Sequence, residues 1–170
     1  MKKEKNFLKM LEKLQREFNL LIFYLILSFF FSNNILADVL KPDPNIDPKQ
    51  VVKIQLSALM TNDSPYKDRG ILQTWEFAHP NNKKFTGPLE KFNMMIKDKS
   101  YSMLINHKEN QVKEVFLSEN IATYEVIILG KDKRYFKFKW QVEKILNDGP
   151  LKNCWMTSAV SQPIDMGSSI

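Results

Sequence analysis

Residues 134–145 (RYFKFKWQVEKI) constrain the fold more than any other stretch. Phe136, Phe138, Trp140 and Val142 alternate with Lys137, Lys139, Gln141 and Glu143, a period of two with one apolar and one polar side. A strand buried on both faces reads as an unbroken apolar run, so this one belongs to an antiparallel sheet with one face covered. Something else in the chain must supply the cover.

The preceding segments supply it. Asp47-Pro48-Lys49-Gln50 starts a helix: Asp47 can cap the first amides, Pro48 suits the first helical position, and Gln50 can reach back to the cap. Val52, Ile54, Leu56, Ala58, Leu59 and Met60 share one broad face, and the helix ends near Thr61-Asn62-Asp63. A second helix is predicted from Gly70 to Ala78, stopped by Pro80. A turn through Pro80-Asn81-Asn82 leads to a third helix, with Thr86 as its cap, Pro88 in its first turn, and Leu89, Phe92 and Ile96 as its stripe. The period then falls to two. Residues 101–106 and 111–117 read as short strands around a turn at 107–110, followed by 121–129 and 134–145, then a last strand at roughly 153–161. Along that last strand Trp155, Thr157 and Ala159 take one side, and Cys154, Met156 and Val160 the other. Helices first and antiparallel strands after is an α+β layout, with N-terminal helices packed on a curved sheet.

The N-terminal stretch reads differently. Residues 20–31 (LLIFYLILSFFF) hold no charge, and residues 1–19 before them carry six bases and three acids. Twelve apolar residues fall short of the roughly 20 that span a bilayer. A basic segment, a short apolar run and a small residue at Ala37 form a secretory leader. Residues 4–18 also repeat apolar positions at helical spacing. Residues 1–37 are therefore expected to be a signal peptide or membrane anchor, which places the domain across a membrane or tethers it to one. Residues 38–46, with Pro42 and Pro44, are a linker, residues 47–163 the domain, and residues 164–170 a tail. Removing 37 residues leaves 133, enough for one core and too few for two.

Composition excludes several functions. The net charge is +6, yet only Arg16, Arg69 and Arg134 among the 25 bases are arginine, and the lysines are interleaved with acids. Nucleic-acid surfaces cluster arginine for its bidentate fork, so no nucleic acid is expected. One cysteine, Cys154, permits neither an intrachain disulfide nor a cysteine zinc site, and beside Trp155 it reads as a buried, inert thiol. His79 and His107 are 28 residues apart with no ligand spacing, so neither a metal nor a cofactor is expected. No nucleophile elbow and no glycine-rich phosphate loop exist.

The strings VVKIQLSALMTND, TWEFAHPNNKKFTGPLEKFNMMI, YSMLINH and CWMTSAVSQP resemble the family called domain of unknown function 4864, over about residues 50–163. That family is similar to the nuclear transport factor 2-like, cystatin-like superfamily. The resemblance implies a cone: a curved sheet around a long helix, with a cavity. It implies no activity and no catalytic residues.

Two functions follow. The first is a non-catalytic binding or assembly module whose pocket takes a small apolar ligand or a protein segment, with Trp75, His79, Tyr101, Trp140 and Trp155 as its lining. A homodimer would form through the sheet. The second is a small pocket enzyme with His79 as general acid–base and Asp63 as its orienting partner. Against it, a histidine before proline at a helix end is ordinary capping, Asn62-Asp63-Ser64-Pro65 is ordinary turn chemistry, and His107 is expected to face solvent in its turn.

Overall fold

The computed structural model describes residues 10, 11, 13–23 and 39–168. The chain divides into two units, Met1–Asp38 and Val39–Ile170. Of the first, residues 10, 11 and 13–23 are helical, and all of them are exposed. Among the described residues no helix is long and apolar enough to cross a membrane. Most of the apolar run and Ala37 lie outside the described residues.

The second unit is α+β. Four helices, α1 (Pro48–Met60), α2 (Arg69–Glu76), α3 (Pro80–Thr86) and α4 (Leu89–Lys97), precede five strands: β1 (Glu109–Leu117), β2 (Ile121–Leu129), β3 (Arg134–Lys144), β4 (Trp155–Val160) and β5 (Ile164–Ser168). Asp47 caps α1 by accepting from the Gln50 amide at 2.8 Å, and Pro48 occupies the first turn. The sheet is antiparallel, in the order β1-β2-β3-β4, with β5 also beside β3. The eleven-residue β3 outruns either neighbour. β4 pairs with its second half and β5 with its first half, so the two short strands share one edge in relay.

The alternation of β3 is realised: Phe136, Phe138, Trp140 and Val142 are buried on one face, beside Ala122, Tyr124, Val126 and Ile128 of β2. α1 supplies Val51, Val52, Leu56 and Leu59 to the same core. α1 and α2 cross closely at Gly70. A Cβ placed there would lie 2.1 Å from the Ala58 carbonyl oxygen. The Gly70 amide instead donates to the Asn62 carbonyl at 2.8 Å.

The structure corrects several expectations. Residues 101–106 are not a strand: a short 3-10 turn, Ser102–Leu104, runs into Asn106, whose φ of 55° is left-handed. The Asn106 amide donates to the Leu59 carbonyl and its side chain accepts from the Asn62 amide, so the end of α1 takes the pairing that a strand would have used. Pro80-Asn81-Asn82 is the first turn of α3, since proline fits a first helical turn as well as it stops the helix before it. Thr86 ends α3, its hydroxyl donating back to the Asn82 carbonyl, and Pro88 stands at the N-cap of α4. Residues 164–168 are a strand and not a tail, because β3 has a free edge there. The linker is partly docked: Val39 is buried, and the Gln73 amide bonds both the N–H and the C=O of Leu40 at 2.7 and 2.8 Å.

One further difference shapes the site. β4 contains a bulge: Gln141 faces Ala159, but the next residue, Val142, faces Thr157. Ser158 is the extra residue, so Val160 comes back to the face of Trp155 and Thr157, opposite Trp140, while Ala159 points outward and is exposed. Strict alternation had put Val160 on the other side.

Candidate functional site

Beneath α3 and α4 the inner face of the sheet is not completely filled. A cavity of about 100 Å³ lies between α1, α3, α4, Tyr101 and the β3–β4 pair. Leu59, Phe92, Ile96, Leu104 and Val160 make apolar walls, and the floor is polar. A water needs about 10–15 Å³ by this measure, and an apolar cavity of about 150 Å³ holds benzene. The space therefore suits a small group, such as a short branched chain or the end of a longer one. It is well below the 300 Å³ or so of a drug-sized site.

The floor is built from three side chains that the sequence places far apart. Gln55 lies on the buried face of α1, between Val51 and Leu59. Its Oε1 accepts from the Thr157 hydroxyl at 2.6 Å and the Trp140 indole N–H at 3.2 Å, while its Nε2 donates to the Thr74 carbonyl at 2.9 Å. The Trp140 N–H also reaches the Thr157 oxygen at 3.1 Å. The triangle satisfies itself, as buried polar groups must. It leaves one Gln55 N–H and one Thr157 lone pair with spare capacity. At the rim, Asn82 donates to the Thr157 carbonyl at 3.3 Å, and the Tyr101 hydroxyl donates to the Val160 carbonyl at 3.4 Å.

Of the residues named from sequence, Trp140 and Tyr101 line the cavity. Trp75 stands one layer behind, its ring 5.0 Å from that of Phe92 and covered by the Lys83 ammonium at 5.1 Å. Burial lowers the pKa of that lysine, with Glu76 opposing the shift and Lys41 adding to it. Trp155 begins β4, is buried in the core, and has Lys144 over its ring.

His79 and Asp63 are placed as structural groups. His79 is the N-cap of α3, not a terminal cap on α2 carbonyls: its Nδ1 accepts from the Asn81 amide at 3.1 Å. That bond requires an unprotonated Nδ1. Burial also pushes the imidazole below its ordinary pKa, with Glu143 pulling the other way. The Asp63 carboxylate accepts from the Asn62 side chain and the Asp68 amide, both at the turn after α1. No hydrogen bond joins the two among the described residues, and neither lines the cavity.

His107 faces inward. It is 2% exposed, donates from Nδ1 to the Leu104 carbonyl at 2.7 Å, and accepts at Nε2 from Asn110 at 3.0 Å. Both ring nitrogens are committed, and burial lowers its pKa against that backbone bond. Cys154 is buried with its thiol pKa raised, chiefly by burial. No group of three potential metal ligands occurs among the described residues. Tyr124 sits between Glu114 and Trp140 in one row across the sheet. Its buried hydroxyl has no hydrogen-bond partner among the described residues, and burial first, then Glu114 and Asp47, push its pKa up to about 12.

Sequence reasoning missed Gln55, Thr157 and Asn82. Gln55 left a signal: a glutamine on the buried stripe of an amphipathic helix must find partners inside. Thr157 left none, because it reads as an ordinary strand residue.

Compared with known proteins, the chain matches no family model, no curated protein and no solved structure.

Proposed function

We propose that this chain is an exported or membrane-tethered binding module, non-catalytic, with the cone architecture of the nuclear transport factor 2-like superfamily. Its pocket takes a small apolar or amphipathic group. The observation that carries this reading is the chemistry of the cavity wall. Among the residues that line it, Tyr101 alone titrates, and burial raises its pKa away from neutrality. Such a wall offers burial of apolar surface and a few fixed polar groups, the ordinary means of small-ligand recognition. It offers no acid–base pair near pH 7. The helix α1 lying across the inner face of the sheet supports the cone.

Thermal unfolding in the presence of short branched alcohols, short-chain fatty acids and medium-chain fatty acids tests the pocket. At least one is expected to raise Tm in a saturable way, since a ligand at 100 times its Kd stabilises by about 2.7 kcal/mol. Ala78→Leu, which adds bulk to the cavity wall, is expected to abolish that rise. Unchanged Tm across all three classes would defeat the proposal.

The export half has a separate test. Residues 1–45 fused to a reporter active only outside the cytoplasm are expected to confer activity, by the basic segment, apolar run and Ala37. Retention of the fusion in the cytoplasm would overturn it.

A further inference from the structure

Phe85 of α3 is 91% exposed, the most exposed large apolar side chain among the described residues. Met94 of α4 is 65% exposed. Each adjoins in sequence a residue that lines the cavity, Thr86 and Met95. The same two helices hold most of the surplus charge. Residues 39–168 contain 19 bases and 15 acids, and five of those bases but two of those acids fall within 80–99. Three of four surplus positive charges thus sit on α3, α4 and their flanks. Asp68 answers Lys97 at 2.6 Å, and Lys83 lies over Trp75. Lys84, Lys91 and Lys99 are exposed and make no salt bridge among the described residues. Lys91 lies against Gly87, where a Cβ would meet its side chain at 2.8 Å, and so covers the corner between the two helices.

We propose that the α3–α4 corner is a docking surface for an anionic lipid bilayer, with Phe85 entering the headgroup region and Lys84, Lys91 and Lys99 on the phosphates. Protruding apolar side chains on two helices that carry a surplus of exposed lysines match a fluid, negatively charged surface. A folded acidic partner would need a broader, shaped apolar patch to reach the size of a stable interface. Docking in this pose sets α3 and α4, two of the elements that bound the cavity, against the bilayer. The proposal does not depend on the cavity being occupied.

Co-sedimentation with vesicles tests it, using residues 39–170, a compact unit whose core, among the described residues, draws on none outside them. Vesicles of phosphatidylcholine with phosphatidylglycerol are expected to bind the domain, and pure phosphatidylcholine vesicles to leave it free. Lys84→Glu and Lys91→Glu should each weaken binding by about fivefold or more, and Phe85→Asp should abolish it. Raising NaCl to about 0.5 M should release the unmodified domain, a measurement that requires no variant to fold. Absent binding to anionic vesicles, equal binding to both compositions, or salt-independent binding would each overturn the proposal. So would variants that melt like the parent and bind like it.

Discussion

Gly70→Ala is expected to destabilise the domain by about 3 kcal/mol, measured by chemical denaturation, although it adds a single methyl group. Helix propensity alone argues the other way: alanine within a helix is favoured over glycine by up to about 1 kcal/mol. Contact decides the sign. The new Cβ would lie 2.1 Å from the Ala58 oxygen, 2.7 Å from its carbonyl carbon and 2.9 Å from the Asn62 Cα, all backbone atoms. No rotamer can relieve that, so α1 and α2 must separate, and the bonds from the Gly70 N–H to the Asn62 carbonyl and from the Ile71 N–H to the Asn62 side chain go with them. A loss under about 1 kcal/mol would show that the helices part easily and that the crossing is not a fixed point of the fold.

Trp140→Ala should cost about 3–5 kcal/mol, because the side chain is 1% exposed and backs both the core and the cavity. The loss is mostly a packing loss. Gln55 and Thr157 still bond each other at 2.6 Å when the indole is gone, so neither becomes an orphan. Trp140→Phe keeps one aromatic ring but loses the rest of the indole with its N–H, so its cost should fall between the parent and Trp140→Ala, at about 1–3 kcal/mol. On the other face of β3, Lys139→Ala should cost less than about 0.5 kcal/mol. Comparable losses at 139 and 140 would contradict the register of β3, since a slip of one residue exchanges the faces.

The sheet was legible where its physics is local. Residues 121–129 and 134–145 announce their strands through alternation or β-branched density, and α1 announces itself through Asp47, Pro48 and its stripe. The segment around Asn106 was not legible, because YSMLIN has strand-like composition and its conformation is decided by two hydrogen bonds to the end of α1. Likewise β5 has weak propensity, with Asp165 and Gly167 in it, and exists because β4 leaves half of β3 unpaired. The cavity was half legible. Trp140 and Tyr101 were found as aromatics on inward faces, but the floor needs Gln55 and Thr157 together, and these are 102 residues apart. His79 misled for a clear reason: the dipeptide His-Pro both ends one helix and starts the next, and only the structure shows which amide the ring serves.

The bulge at Ser158 turns one wall of the cavity into a matter of parity. Thr157 and Val160 are three residues apart, an odd count that an even strand would send to opposite sides. They share a side only because one residue between them is out of step. The number of residues in that short stretch therefore carries as much structural information as their identities. Replacing Ser158 by another residue that tolerates the bulge keeps Val160 facing Trp140. Deleting Ser158 would leave Val160 two residues from Thr157 and still inward, whereas smoothing the bulge out with Ser158 kept would carry Val160 outward and bring Ala159 in.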